Sequence, residues 1–130
     1  MTSYALALQK AVFDRLQGTI DGSPPVYDSV PIGALTPYVS FGPCDEADDD
    51  ADCIRAVLIA QQIDVWTSEP GFVQSKRIAG AIRALLHRQI IPFEGATLTD
   101  LRVHAIRYLR DADGITSHAA IDLRASVEAE

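Results

Sequence analysis

IRAVLIAQQIDVWT (Ile54–Thr67) followed by PGFVQSKRIAGAIRALLHRQ (Pro70–Gln89) is the stretch on which the fold turns. In the first segment Val57, Ile59, Ile63 and Val65 share one face with Arg55 and Gln61. Ile54, Leu58 and Trp66 lie on the other, which is the two-residue period of a strand. The segment is long for a strand, so Gln61-Gln62 is expected to mark a bulge or a change of cover. Large apolar groups on both faces call for partial cover on both. In the second segment Phe72, Ile78, Ala79, Ile82, Leu85 and Leu86 fall in one stripe of an amphipathic helix. Ser68-Glu69-Pro70-Gly71 is expected to open it, with a capping hydroxyl, an acid in the first turn and an early proline. Lys76, Arg77, Arg83 and Arg88 lie off the stripe, and no acid occurs between Glu69 and Glu94.

Upstream, residues 3 to about 17 predict a helix capped by Ser3 or Thr2 and stopped by Gly18. Its stripe is Leu6, Leu8, Val12, Phe13 and Leu16. Thr19 to Pro37 is rich in Gly and Pro and reads as extended chain with turns, including a short strand at Val26-Tyr27. Tyr38-Val39-Ser40-Phe41 predicts a short strand ended by a Gly42-Pro43 turn, with Val39 and Phe41 on one side. Asp45, Glu46, Asp48, Asp49, Asp50 and Asp52 then place six acids in eight positions. Their mutual repulsion predicts a mobile, solvated loop over 43–53.

Downstream, Pro92 ends the helical region and Glu94-Gly95 turns the chain. Leu98–Arg110 and Ile115–Val127 predict a hairpin. A two-residue Asp113-Gly114 loop would set Val103 against Arg124. A three-residue Ala112-Asp113-Gly114 loop sets Val103 against Leu123 and Ala105 against Ile121, which keeps apolar residues together. The second register is preferred. It places His104 opposite Asp122 and His118 opposite Tyr108.

The 130 residues fit one α+β domain, a mostly antiparallel sheet with two helices packed on it and a long C-terminal hairpin. The net charge is −7, from 18 acids and 11 bases. Setting the acidic run aside leaves 12 acids against 11 bases, so the acidity is local and there is no basic footprint for gripping nucleic acid. No apolar run is long enough for a membrane span, and the N-terminus lacks the basic lead-in of a signal peptide, so the expected compartment is cytoplasmic. Cys44 and Cys53 flank the acidic run. They are expected to be reduced thiols, although a bridge between paired strands is geometrically open. Two thiols without nearby His make no zinc site, and the acidic run lacks the Gly and terminal Glu of a calcium loop.

A His104–Asp122 pair could serve a small hydrolase, but no nucleophile motif accompanies it, and the pair is expected to be a cross-strand polar contact. No catalytic, cofactor or metal residues are therefore assigned.

Pro37-Tyr38-Val39-Ser40-Phe41-Gly42, Ile63-Asp64-Val65-Trp66-Thr67 leading into Glu69-Pro70-Gly71, the helix to Leu85-Leu86, Asp111-Ala112-Asp113-Gly114, and Ala120 through Glu128 occur in that order along nearly the whole chain. In these the sequence resembles the tail-terminator (tail-completion) family of long-tailed phages and gene transfer agents. The resemblance implies a structural virion protein with no catalytic residues or cofactor. It implies a homohexameric ring at the head-proximal end of the tail tube, assembled in the host cytoplasm. Such a ring halts tube growth and meets the head connector or stopper, and DNA passes through it without specific binding. A neighbouring head-completion or connector protein, and a generic binding module, are the competing readings.

A ring needs two different patches that fit each other. The acids Asp45, Glu46, Asp48, Asp49, Asp50 and Asp52 and the bases Lys76, Arg77, Arg83 and Arg88 are candidates for those patches. Alternatively one of them meets the tube or connector, or the acids line the channel, where they would repel DNA phosphates.

Overall fold

The computed structural model describes residues 3–130. The elements are α1 (Tyr4–Leu16), β1 (Val26–Tyr27), β2 (Tyr38–Asp48), β3 (Ala56–Thr67), α2 (Val73–Leu86), β4 (Thr97–Arg110) and β5 (Ser117–Glu128). The strands form one sheet in the order β1-β2-β3-β5-β4. Among the described residues only the short β1–β2 pair is parallel. The architecture is the expected α+β fold, with the C-terminal hairpin of β4 and β5 in place.

The deciding stretch forms the expected strand and helix, each trimmed at its ends. Ile59, Gln61, Ile63, Val65 and Thr67 of β3 are buried on the helix-covered face. Ile121, Leu123, Ala125 and Val127 of β5 continue that face, and Ile78, Ala79, Ile82 and Leu86 of α2 pack over it. At Gln61-Gln62 the irregularity lies on the partner strand: Phe41 pairs with Ile63 and Cys44 with Gln61, so Gly42 and Pro43 together oppose Gln62. The expected Gly42-Pro43 turn is this bulge, and β2 runs on through it.

Four further expectations are corrected. Ser68 does not cap α2. Its hydroxyl bonds Thr36 Oγ1 at 2.6 Å, Gly71 turns with φ 82°, and the cap position is Phe72, which offers no side-chain oxygen. The helix stops at Leu86, short of Pro92, because Arg88 adopts φ 55° and hands its N–H to Leu101. In α1 the buried stripe is Leu8, Val12 and Leu16, spaced four apart, while Leu6 and Phe13 lie 64% and 37% exposed to either side. Ser3 caps α1 through Leu6 N–H, and the alternative Thr2 lies outside the described residues.

The fourth correction concerns the acidic run, which is not a loop. β2 extends to Asp48, and a tight turn at Asp52-Cys53 closes a hairpin with β3, held by reciprocal bonds between Ala51 and Ile54 of 2.9 and 2.7 Å. Like charges do not prevent this, because successive strand residues project to opposite faces and the backbone ladder to Val57–Ala60 supplies paired amides. The side chains are nonetheless exposed from Asp45 to Asp50 and at Asp52.

The hairpin register holds at Val103, which pairs with Leu123 as expected. A bulge at His104 then shifts it, so Ala105 pairs with Asp122 and Ile106 with Ile121. The connection is longer than three residues. Asp111 N–H bonds Thr116, and Asp113 Oδ1 accepts from the N–H of Ile115 and Thr116 while Oδ2 accepts from the Thr116 hydroxyl. An aspartate that caps two amides and a hydroxyl stabilises a wider loop than Gly114 alone demands.

Candidate assembly surfaces

The two charged groups singled out in the sequence lie on different elements, the acids on β2 and its hairpin turn and the bases on α2 and the turn that follows it. β2 stands near one edge, covered only by the two residues of β1. β4 is the other edge, with β3 and β5 between them. The structure does not bring the acids and the α2 bases together: no ion pair or hydrogen bond joins them among the described residues.

Half of the acidic set makes bonds within the chain, one to α1 and two inside the hairpin. Glu46 Oε1 accepts from Ala5 N–H in the first turn of α1, a favourable place for an anion. Asp48 Oδ1 accepts from Asp50 N–H, and Asp50 Oδ1 from Ala56 N–H. Asp45, Asp49 and Asp52 make no side-chain bond among the described residues. The two thiols at this end are free and exposed. Desolvation against the strand, then Glu46 and Asp45, push the Cys44 thiol above its usual range.

On the helix-covered face, α2 and the turn after it present exposed Lys76, Arg77, Arg83 and Arg88, none in an ion pair among the described residues. Lys76 Nζ sits 5.3 Å from the Tyr108 ring and 5.7 Å from Phe72, and the Arg110 guanidinium lies 5.0 Å from Phe72. Exposed contacts of this kind contribute about 0.5–1 kcal/mol each, enough to orient the cations without neutralising them. The basic face therefore continues from α2 onto β4 through Arg110, whereas Arg102 and Arg107 project from the helix-free face. The sequence reading missed these β4 bases; the alternation of β4 was the available signal. At the end of α2, His87 Nδ1 accepts Val103 N–H at 3.0 Å, which requires a neutral imidazole. Burial first, then Arg83 and Arg88, hold its pKa below the ordinary histidine value, opposed by Asp100.

The helix-free face of the sheet carries a polar cluster that the sequence did not reveal. Buried Asp64 bonds the His118 ring and Gln62, His118 stacks on Trp66 at 4.0 Å and 9°, and Trp66 Nε1 donates to Ser40 Oγ. The expected His104–Asp122 contact is not made. His104 lies in the bulge, and Asp122 takes Arg124 through two bonds of 3.0 and 3.2 Å. His118 pairs across β4 with Leu109, not Tyr108. His118 and Asp64 form a dyad without a nucleophile in contact, and their partners tie β2, β3 and β5 together. Among the described residues no group of three or more His, Cys, Asp or Glu is placed to hold a metal. A groove of about 660 Å³ between α1 and Pro92–Gly95 lies apart from this cluster. Among the described residues no helix is long and apolar enough to cross a membrane.

Residues 6–128 match the family described as Tail completion protein gp17. The chain belongs to that family. Among solved structures, a chain of the virion of a native gene transfer agent (GTA) particle is similar over 98% of this chain and 99% of its own, with 28% identity and a TM-score of 0.86. No individually curated protein matches significantly in sequence. The tail-completion resemblance read from the motifs is thus borne out at the level of the family and of a virion component.

Proposed function

We propose that this tail completion protein acts as a ring that ends the tail tube of a phage-like particle and joins it to the head-side connector, with DNA passing through the centre. The observation that carries this reading is the end-to-end similarity to a chain of a gene transfer agent virion. The charge layout supports it, because a ring subunit must carry two different, complementary ends. Here the acids Asp45, Glu46, Asp48, Asp49, Asp50 and Asp52 gather on β2 and its hairpin turn, and Lys76, Arg77, Arg83 and Arg88 on α2 and the turn after it. A structural role accords with a polar cluster spent on holding strands together and with the family described for residues 6–128.

Purified tail tubes mixed with the full chain test the proposal by electron microscopy. The expected result is a cap at one end of each tube, with the copies countable around the axis. Tubes that bind no protein, or bind it along their length, reject the terminator role. Replacing Lys76, Arg77, Arg83 and Arg88 by Gln should weaken ring formation. An unchanged oligomer mass and unchanged capping would show that the α2 face is not an assembly surface.

A further inference from the structure

Each edge of the sheet is closed by the chain itself over only part of its length. On β2, β1 covers Val39 and Ser40 and then stops. Asp49 N–H donates inward to Ala56, so the alternation of an antiparallel ladder turns the backbone groups of Cys44, Glu46 and Asp48 outward. On β4, Val103 N–H donates to His87 and Leu101 C=O accepts from Arg88 N–H. Past the bulge, Asp111 N–H donates inward to Thr116, which turns Ile106, Tyr108 and Arg110 outward. None of these six outward residues has a backbone partner on that side among the described residues.

We propose that neighbouring copies join through these two stretches, Ile106–Arg110 of one copy adding antiparallel to Cys44–Asp48 of the next. Arg110 then lies opposite Cys44, Tyr108 opposite Glu46 and Ile106 opposite Asp48. The inference rests on the ring reading above and names the contact that closes it. Direction supports the pairing first. Strands alternate through β2, β3, β5 and β4, so a copy related by rotation about the ring axis presents β2 antiparallel to its neighbour's β4.

Charge supports it second. In this register Asp45 lies diagonally from Arg107 on the helix-free face, and Glu46 diagonally from Arg110 on the other, within reach of long side chains. Asp45 and Arg107 are both exposed and make no ion pair among the described residues.

The offset supports it third. Inside one sheet Glu46 stands level with Leu101, through Ile59 and Ala125. Setting Glu46 beside the next copy's Tyr108, which pairs with Ala119, displaces the copies by about six residues of β5, or ~20 Å along the strands at ~3.3 Å per residue. Four strands at ~4.8 Å span ~19 Å across. The resulting strand tilt is about 45°, at the upper end of the ~35–45° that closed sheets adopt. With that offset β1 stands beyond the Arg110 end and the end of α2 beyond the Asp48 end, so neither obstructs the joint.

The test is a charge exchange in the full chain: Asp45→Arg, Arg107→Asp and the double variant, with sedimentation to read oligomer mass and circular dichroism to confirm folding. Each single variant should raise the dissociation concentration about tenfold or more, and the double should restore the wild-type mass. As a second readout, Arg110→Cys in a Cys53→Ser background should crosslink through Cys44 into a ladder of covalent multimers on mild oxidation. Leu6→Cys in the same background should not. Single variants with wild-type mass, a double that does not recover, or absence of the ladder overturns the edge joint. Wild-type protein that forms no closed oligomer, alone or on tubes, instead overturns the ring reading itself.

Discussion

Gly42 is where the close approach of two strands leaves no room for a side chain. A Cβ there would lie 2.5 Å from Asp64 Oδ2 and 3.3 Å from two Gln62 carbons. Asp64 cannot swing aside cheaply, because it is buried and held by His118 and Gln62. Gly42→Ala should therefore destabilise the fold by about 1–3 kcal/mol, read from the urea midpoint. Gly80 gives the opposite sign. It lies exposed in α2 with nothing within 4 Å of an added Cβ, so Gly80→Ala should stabilise by about 0.5–1 kcal/mol in the same assay. The sequence reading took Gly42 for a turn residue. Its real constraint comes from Asp64, 22 positions away, which no local pattern reveals. The His118–Asp64 contact was hidden for the same reason, since it depends on β5 lying beside β3.

At the scale of elements, periodicity carried most of the fold. The alternation of β3 and the stripe of α2 placed Ile59, Ile63, Val65, Ile78 and Ile82 correctly in the core. What failed were the junctions, where a single side chain outweighs pattern: Thr36 claiming Ser68, Arg88 reversing the chain, Asp113 widening the hairpin loop. Asp113 gives a pH test. Its bonds to Thr116 and Ile115 hold the carboxyl below the usual carboxylate range. A depressed folded pKa adds stability above the unfolded pKa, and that stability is lost as pH falls through the folded value. Asp113→Ala should thus lower the thermal midpoint at neutral pH, and the gap to wild type should close toward pH ~2. A gap independent of pH would assign the effect to loop geometry alone.

For the whole molecule, the separation of acidic and basic groups was legible in sequence, but their relation was not. Strand order decides that β2 and β4 end up on opposite edges, and nothing in the spacing of residues specifies that order. The assembled form should weaken as salt rises from about 0.05 to 0.5 M, because exposed charges beyond a Debye length are screened. The Gln variant of Lys76, Arg77, Arg83 and Arg88 should show a shallower dependence by sedimentation. Equal slopes would mean that those four cations take no part.

The same layout also governs encounters that must fail. Open strand edges are the usual route to indiscriminate aggregation. Two copies meeting β2 to β2 would set Asp45, Glu46 and Asp48 against their own kind, and β4 to β4 would oppose Arg107 and Arg110 to themselves. Like charges across a joint are repelled, so symmetric pairs are discouraged and only the head-to-tail meeting is attractive. Each subunit thus behaves as an arrow with unlike ends: free copies have little reason to pair off, and a growing arc accepts the next copy in one orientation until its two ends meet.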